Sequence, residues 1–281
     1  MMFGIRSIYV LGMIEFITGY QFPTKLVEYQ FPTKINYQSN VNNNKYKKIS
    51  GYHYKCFDAT NENWPNENQC LFYTGGSSSI PSELYNSFLS KLSSKAITVN
   101  VVNKDIKKNH ILLKSITHNK PTTIVAHSSG ATEALDACNY LDNIKNVVLM
   151  DPVDTRFFSN ENEKEKIRPR YDLERVLFLN AQKSYEWRVF PFKIPFIPLF
   201  SLPAEKVDVT YRDIVSAKKF GHADILDYPW GKIMHHTLSE GLEDRDELKM
   251  EEYHEWLADI VANYIIHGNV TAGSSIEYST K

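Results

Sequence analysis

Residues 122–130 read TTIVAHSSG, a short run in which a strand, a sharp turn and the start of a helix follow one another. Thr122–Val125 is β-branched throughout, which is typical of a buried strand. In the next five residues, AHSSG, the small residues Ala126 and Gly130 lie two positions before and two positions after Ser128. A tight turn from strand to helix strains the backbone of its central residue and leaves no room for large neighbours. The stretch therefore predicts a nucleophile elbow that presents the Ser128 hydroxyl at the N-terminus of a helix.

The rest of the chain repeats this alternation of short apolar runs and longer amphipathic segments. The predicted strands are Cys70–Tyr73, Ile97–Val102, Thr122–Ala126, Val147–Met150, Arg175–Leu179 and Ile214–Ala217. The predicted helices include Glu83–Leu92, Gly130–Leu141 and a segment around Tyr253–Tyr264 that stops at Gly268. Continuous apolar strands separated by helices are typical of a parallel sheet covered on both faces. The fold class is therefore α/β, with a mostly parallel central sheet flanked by helices on both faces.

A single domain is predicted over residues 1–268, followed by a polar tail at 269–281 that we expect to be flexible. Residues 1–66 are expected to form N-terminal strands and loops. They include the sequence YQFPTK twice, and a polar Asn/Lys-rich stretch at 40–48 that predicts an exposed loop. Residues 183–207 are rich in proline and aromatic side chains and predict a cap-like insertion.

Composition and charge narrow the classes of partner. The 281 residues include 32 basic and 33 acidic side chains, a formal net charge of −1. This balance argues against a nucleic-acid partner, because such binding is driven by basic patches that displace counterions. No apolar run approaches the ~20 residues that cross a bilayer. The few cysteines and the lack of a clear signal peptide favour a cytoplasmic location, with secretion as the alternative.

The three cysteines carry no metal-binding spacing. Cys56, Cys70 and Cys138 are expected to be buried thiols, because free cysteine behaves as a small hydrophobic residue. A disulfide between Cys56 and Cys70 is the alternative if the protein is secreted. The adjacent pair His235-His236 lacks both the HExxH spacing and a supporting carboxylate, and adjacent residues on a helix face different directions. We therefore expect neither a metal nor an organic cofactor.

A serine nucleophile needs a base that an acid holds in orientation. In a parallel sheet, functional side chains collect at the carboxyl ends of the strands. His222 follows the last predicted strand and is the expected base; the residues after it, 223–227, resemble the start of a helix. Three carboxylates are possible acids: Asp151, directly after a strand, then Asp154 and Glu186. His127 is expected to be packed away from the nucleophile.

The predicted oxyanion hole combines two backbone amides. One is the N–H of Ser129, the residue after the nucleophile. The other is the N–H of Gly76, in the loop after the first core strand, where glycine lets the backbone turn its amide toward a developing negative charge.

Three motifs together resemble the chlorophyllase-like branch of the α/β-hydrolases. They are AHSSG, then MDPVD, then FGHADILD, and the resemblance covers roughly residues 68–267. It implies an α/β-hydrolase fold and ester hydrolysis by a Ser-Asp-His triad without a cofactor. By this resemblance, Ser128 is the expected nucleophile, His222 the expected base and Asp151 the expected acid.

The chain departs from that family around the nucleophile and the oxyanion loop. Thr74 stands in place of a histidine, Gly76 of an aromatic residue, Ser129 of an arginine and Ala131 of a second glycine. The resemblance therefore does not extend to chlorophyll as the substrate.

These observations predict a serine esterase that acts on a small, lipophilic carboxylic ester through an acyl-enzyme. The segment Trp187–Pro203 is expected to cap an apolar pocket with Phe192, Phe196 and Phe200. The alternatives for this segment are a buried connection or contact with a membrane surface. The alternative for the whole protein is a catalytically degenerate relative that acts as a binding or scaffold protein. Acyl transfer to another acceptor would use the same residues.

Overall fold

A computed structural model describes residues 44–49, 52–57, 68–158, 167–169, 173, 175–186, 200–217, 219–231 and 247–270. These residues all fall within one compact unit. The repeated YQFPTK, most of the cap-like insertion, the pair His235-His236 and the tail from 271 lie outside the described residues. The single domain over 1–268 with its predicted subdivisions therefore stays a prediction.

Within the described ranges, eight strands form one sheet in the order β1-β2-β4-β3-β5-β6-β7-β8. Their bounds are β1 Asn44–Ile49, β2 Tyr52–Phe57, β3 Asn68–Tyr73, β4 Ile97–Val102, β5 Thr122–His127, β6 Ile144–Met150, β7 Arg175–Ala181 and β8 Tyr211–Ala217. β1 and β2 pair antiparallel, as do β2 and β4, whereas every pairing from β4 to β8 is parallel. The mostly parallel sheet predicted from the sequence is confirmed.

The described residues also form a four-residue helical turn at Gly75–Ser78, five longer helices and three short 3-10 turns. The helices are α1 Asn86–Ser94, α2 His110–Thr117, α3 Gly130–Ala137, α4 Gln182–Glu186 and α5 Glu247–His267, and the 3-10 turns are Ser82–Tyr85, Thr155–Phe158 and Ala204–Lys206. The last helix stops as predicted, because Gly268 adopts φ +69° and returns its amide to the carbonyl of Tyr264. The helix predicted over Gly130–Leu141 is shorter than expected and ends at Ala137.

Two apolar layers cover the sheet, one on each face. Successive strand residues point to opposite faces, so Phe72 and Val125 belong to the layer that contains α1 and α5. Leu71 and Ile124 belong to the layer that contains α2 and α3. Helices therefore flank both faces, as the continuous apolar strands predicted. None of the helices in this described part of the chain is long and apolar enough to cross a bilayer.

The prediction of an exposed loop over 40–48 is wrong for its second half. Residues Asn44–Ile49 form an edge strand paired with β2, in which Lys47 faces Tyr54 across the ladder. An edge strand has a neighbour on one side only and tolerates lysine well, so its sequence lacks the apolar signature of a central strand.

The three cysteines are buried, free thiols. This confirms the prediction made for them, and the Cys56–Cys70 disulfide considered as the alternative does not form. Burial raises the pKa of the Cys70 thiol, which keeps it in the protonated form.

Candidate active site

A strained turn at Ser128 joins β5 to α3. Ser128 has φ +55°, a left-handed conformation that costs a residue other than glycine about 1–2 kcal/mol. Three backbone hydrogen bonds hold it there. Its amide donates to the carbonyl of Met150 at 2.9 Å, and its carbonyl accepts from the amides of Ala131 at 3.1 Å and Val153 at 3.0 Å. The turn predicted from Ala126-X-Ser-X-Gly130 is therefore the turn that forms.

Gly130 explains why the turn requires a small residue. A Cβ atom at this position would lie 2.6 Å from the carbonyl oxygen of Thr74 and 3.1 Å from that of Tyr73. Both contacts are with backbone atoms, which cannot move aside as the end of a flexible side chain can. The first turn of α3 thus packs directly against the loop that follows β3.

The imidazole of His222 lies between Ser128 and Asp151. Its Nε2 atom is 2.8 Å from Oγ of Ser128, and its Nδ1 atom is 3.2 Å from Oδ2 of Asp151. All three residues are at least nine-tenths buried. The structure therefore brings together three side chains that are separated by 23 and 71 positions in the sequence (151 − 128 and 222 − 151).

His222 sits in a series of turns after β8. The helix expected over 223–227 does not form, because the side chain of Asp224 accepts the Gly221 amide at 2.7 Å and closes a turn instead. Further along, the amide of Asp227 donates to the carbonyl of Leu84 at 2.7 Å, which anchors this loop to the segment before α1.

Asp151 receives hydrogen bonds on both carboxylate oxygens. Its Oδ1 accepts from the amide of Ala181 at 2.7 Å, and its Oδ2 accepts from the hydroxyl of Ser184 at 2.5 Å as well as facing His222. The residue itself has φ +44° and donates its amide to the carbonyl of Leu179. These donors suit an ionised carboxylate, which can only accept.

Asp154, one of the two alternative acids, forms ion pairs with Arg156 and Lys206. Arg156 binds both of its oxygens, at 2.9 Å from Nε and 2.7 Å from Nη2, and Lys206 lies 3.5 Å away. Burial raises the pKa of Asp154, but the hydrogen bonds and charge of Arg156 outweigh it and leave that pKa below its usual value. The other alternative, Glu186, is the last residue of α4, and its side chain lies outside the described residues. Of the two aspartates, Asp151 is the one beside His222.

The loop after β3 leaves one backbone amide without a hydrogen-bond acceptor among the described residues. Residues Gly76, Ser77 and Ser78 all have positive φ, between 51° and 60°. The Gly75 amide donates to the hydroxyl of Tyr85 at 3.0 Å, and the Ser77 amide donates to Oγ of Ser129 at 2.8 Å. The Gly76 amide between them has no hydrogen-bond acceptor in the described part of the chain, and neither has the amide of Ser129. The two amides predicted from the sequence are thus both available.

A second cluster holds the other side of this loop. Lys107 donates to the carbonyl of Ser77 at 2.7 Å and forms an ion pair with Glu133 of α3. The hydroxyl of Ser78 donates to the same glutamate at 2.9 Å. The left-handed residues of the loop are therefore tied to the helix that begins at the elbow.

Three residues of the site were not predicted from the sequence. Ser184 contacts the acid, and Tyr85 and His127 contact each other at 2.9 Å. His127 is buried, as expected, but it is not remote from the chemistry, because its Nε2 lies 3.2 Å from the carbonyl oxygen of His222. Ser184 lies three residues after the end of β7. Because functional side chains collect at the carboxyl ends of parallel strands, this position could have marked it as a candidate. No local pattern distinguishes Tyr85.

The predicted substrate pocket is only partly described. Phe192 and Phe196 lie outside the described residues, and Phe200 is half-buried. The carbonyl of Phe200 accepts the Asp154 amide at 2.7 Å, and the Leu202 amide donates to the carbonyl of Pro152 at 2.8 Å. The end of the cap-like insertion therefore lies beside the residues that follow Asp151.

Metal-ligating side chains do not cluster in the described residues. No group of three or more His, Cys, Asp or Glu side chains among them could hold a metal ion.

Comparison with known proteins gives likenesses of structure. No protein-family model matches the sequence, and no curated protein matches it either. A ferulic acid esterase from Streptomyces cinnamoneus is similar in structure, with a TM-score of 0.52 and 13% identity over 79% of this chain and 76% of that chain. A dienelactone hydrolase from Anabaena variabilis gives a TM-score of 0.45 and 12% identity over 80% of this chain and 98% of that chain. The parallel sheet, its flanking helices and the first of these likenesses show that the chain has the α/β-hydrolase fold.

Proposed function

We propose that this protein is a serine hydrolase that cleaves a carboxylic ester through an acyl-enzyme intermediate. The observation that carries the proposal is the position of the His222 imidazole, 2.8 Å from the Ser128 hydroxyl on one side and 3.2 Å from the Asp151 carboxylate on the other. A hydroxyl, an imidazole and a carboxylate in this order make up the arrangement that activates serine as a nucleophile.

Each of the three side chains has one role in the proposed reaction. Nε2 of His222 takes the proton from Oγ of Ser128 as that oxygen attacks the ester carbonyl. Asp151 accepts the Nδ1–H, which keeps Nε2 free as the base and stabilises the imidazolium once it forms. The imidazolium then gives its proton to the leaving alcohol. A water molecule, deprotonated by the same nitrogen, releases the acid and restores Ser128.

The negative charge of the tetrahedral intermediate requires donors that are already in place. The amides of Gly76 and Ser129 are the proposed donors, since neither is engaged by another acceptor among the described residues. Ser129 also caps α3, so the positive end of that helix adds to the field at the oxyanion. Each such donor is worth about 3 kcal/mol of transition-state stabilisation.

The proposed substrate is a small lipophilic ester. The support is the aromatic sequence of residues 187–200, whose last residue, Phe200, accepts the amide of Asp154 at 2.7 Å. The three motifs similar to the chlorophyllase-like branch point to the same reaction class. The structurally similar protein from Streptomyces cinnamoneus is also named as an esterase.

Labelling with a fluorophosphonate probe tests the proposal. The probe phosphonylates only a serine that a neighbouring base activates, so the wild-type protein should label and Ser128→Ala should not. Ser94→Ala is the matched control, because Ser94 is an exposed serine at the end of α1 and its loss should leave labelling intact. A wild-type protein that does not label, or labelling that survives Ser128→Ala, would overturn the proposal in favour of a binding or scaffold protein.

A further inference from the structure

Three hydrogen bonds in series connect the oxyanion loop to the catalytic base without passing through Ser128. The Gly75 amide contacts the Tyr85 hydroxyl at 3.0 Å. That hydroxyl contacts Nδ1 of His127 at 2.9 Å, and Nε2 of His127 contacts the carbonyl oxygen of His222 at 3.2 Å. None of these contacts has a part in the proposed mechanism.

The chemistry of the end groups fixes the direction of every hydrogen in this chain. The Gly75 amide can only donate, so the Tyr85 oxygen accepts from it. The His222 carbonyl can only accept, so Nε2 of His127 must carry a hydrogen. A neutral imidazole has a single N–H, which leaves Nδ1 as an acceptor for the Tyr85 hydroxyl hydrogen. Each donor and acceptor in the series is thereby satisfied once.

The environment of His127 keeps its imidazole neutral. The ring is buried, with 3% of its surface exposed, and packs 4.7 Å from the ring of His222 between centroids. Burial first, and the neighbouring His222 second, hold the pKa of His127 well below its usual value. Tyr85 is also fully buried, and burial raises the pKa of its hydroxyl, so it stays a donor.

Close packing shows that the oxyanion loop rests directly on this pair. A Cβ atom added at Gly75 would lie 3.1 Å from the hydroxyl oxygen of Tyr85 and 3.2 Å from Nδ1 of His127. The Tyr85 hydroxyl accepts the Gly75 amide and Oγ of Ser129 accepts the Ser77 amide, so the amides on both sides of Gly76 are held by hydrogen bonds.

We propose that Tyr85 and His127 are positioning residues that couple the oxyanion loop to the backbone of His222. They fix the distance between the Gly76 amide and the His222 imidazole, so that donor and base stay aligned on the same reacting carbonyl. This inference rests on the proposed serine hydrolase function. The competing explanation is a buried pair that only stabilises the fold.

Kinetics of Tyr85→Phe distinguish the two explanations. The substitution removes one oxygen, and we expect kcat on p-nitrophenyl butyrate to fall about 10- to 100-fold, because small displacements of catalytic groups cost factors of this size. KM should change little, and the affinity for phenylboronic acid, whose adduct with Ser128 mimics the tetrahedral intermediate, should fall by a similar factor. Tyr264→Phe is the matched control. Tyr264 is equally buried, and its hydroxyl pairs with Asp213 at the far edge of the sheet.

A purely structural pair would give a different result. Tyr85→Phe and Tyr264→Phe would then lower the melting temperature while leaving kcat and boronic-acid affinity at the wild-type level, and that result would overturn the inference. His127→Gln provides a second variant, since its amide reaches toward the His222 carbonyl but offers Tyr85 no ring nitrogen. It should reproduce the kcat loss of Tyr85→Phe, and the double variant should be no worse than either alone.

Nitrogen-15 NMR of histidine-labelled protein tests the same chain without reference to activity. The signal of His127, assigned by its loss in His127→Gln, should be that of a neutral ring with its hydrogen on Nε2. A hydrogen on Nδ1, or a protonated ring at neutral pH, would contradict the inference. Failure of the proposed function is separately visible, because the wild-type protein would then neither hydrolyse esters nor bind phenylboronic acid.

Discussion

The hydroxyl of Ser184 donates to Oδ2 of Asp151 at 2.5 Å, the same oxygen that faces Nδ1 of His222. The amide of Ala181 binds the other carboxylate oxygen at 2.7 Å. The end of β7 and the first turn of α4 thus hold the acid that follows β6. This places the orientation of Asp151, and through it that of His222, under the control of a neighbouring strand.

Removal of the Ser184 hydroxyl should therefore affect both stability and activity. Ser184→Ala removes a charge-assisted hydrogen bond to the buried carboxylate of Asp151. Its loss should lower the free energy of unfolding by about 1.5–3 kcal/mol. It should also lower kcat several-fold, because Asp151 can turn away from His222. Urea titration and ester kinetics measure the two effects. Ser93→Ala is the matched control, since Ser93 is also fully buried but donates to the neutral carbonyl of Ser90. It should cost less stability and leave kcat unchanged, and equal losses of kcat in both variants would contradict this role of Ser184.

Asparagine substitutions separate the two aspartates after β6. Asp151→Asn should lower kcat/KM by about 10⁴-fold, because an amide cannot hold the tautomer that keeps Nε2 of His222 free. Asp154→Asn should leave kcat/KM within a few-fold of wild type. It should instead lower the free energy of unfolding by roughly 1.5–3 kcal/mol, since the partly buried Arg156 loses a charge-assisted hydrogen bond. A larger loss of kcat/KM in Asp154→Asn than in Asp151→Asn would show that Asp154, and not Asp151, is the acid.

The stability of the protein should depend on the charge of Asp227. Burial raises the pKa of this carboxyl to about 7, although the Ser87 and Asn86 amides oppose the shift. Its folded-state pKa lies above the ordinary value of 3.8, so the folded protein binds the proton more tightly than the unfolded chain. The stabilisation from this group is therefore complete at pH values below the unfolded-state pKa of 3.8. It is lost as the pH rises through the folded-state pKa of about 7.

Asp227→Asn should remove that dependence while keeping an oxygen for the Ser87 amide, 3.0 Å away. Between mildly acidic and mildly alkaline pH, the free energy of unfolding of the wild type should fall more than that of the variant. Chemical denaturation at both pH values measures the difference. Parallel curves for the two proteins would mean that the carboxyl titrates alike in the folded and unfolded chain.

The cap-like insertion should determine which acyl chains are accepted. Replacing Phe192, Phe196 and Phe200 by alanine should reduce kcat/KM for octanoate esters more than for acetate esters. A long acyl chain gains about 0.8 kcal/mol for each buried methylene, whereas acetate gains almost nothing from the pocket. Ile111→Ala, a surface position on α2, is the control and should affect both esters equally and slightly. Equal losses of kcat/KM for octanoate and acetate esters in the phenylalanine variants would contradict the proposal that this segment caps the acyl pocket.

The sequence predicted those parts of the fold and site that depend on local pattern. The central strands are continuous apolar runs, and the elbow at Ser128 has a steric signature within five residues. Asp151 and His222 were candidates because each follows a strand of the parallel sheet, but the residues alone left Asp154 and Glu186 open as acids, and the resemblance to the chlorophyllase-like branch selected Asp151. Their position near Ser128 at one edge of the sheet could be expected, because the carboxyl ends of parallel strands lie on the same side.

Other parts depend on contacts between distant segments and left no local signal. The edge strand β1 is too polar to be distinguished from a loop. Tyr85 lies in an unremarkable 3-10 turn, and its contacts with Gly75 and His127 exist only once β3 and β5 are neighbours. The direction of the His127 side chain likewise follows from the packing of that turn against the sheet.

A burst experiment shows directly whether Ser128 forms an acyl-enzyme. Wild-type protein is mixed with p-nitrophenyl butyrate, the release of p-nitrophenol is followed from the first milliseconds, and the acid-quenched protein is digested and mapped by mass spectrometry. We expect a rapid burst close to one equivalent per chain, with the butyryl group on the peptide that contains Ser128. A butyryl group found on any other residue, or turnover of the ester that persists undiminished in Ser128→Ala, would contradict it.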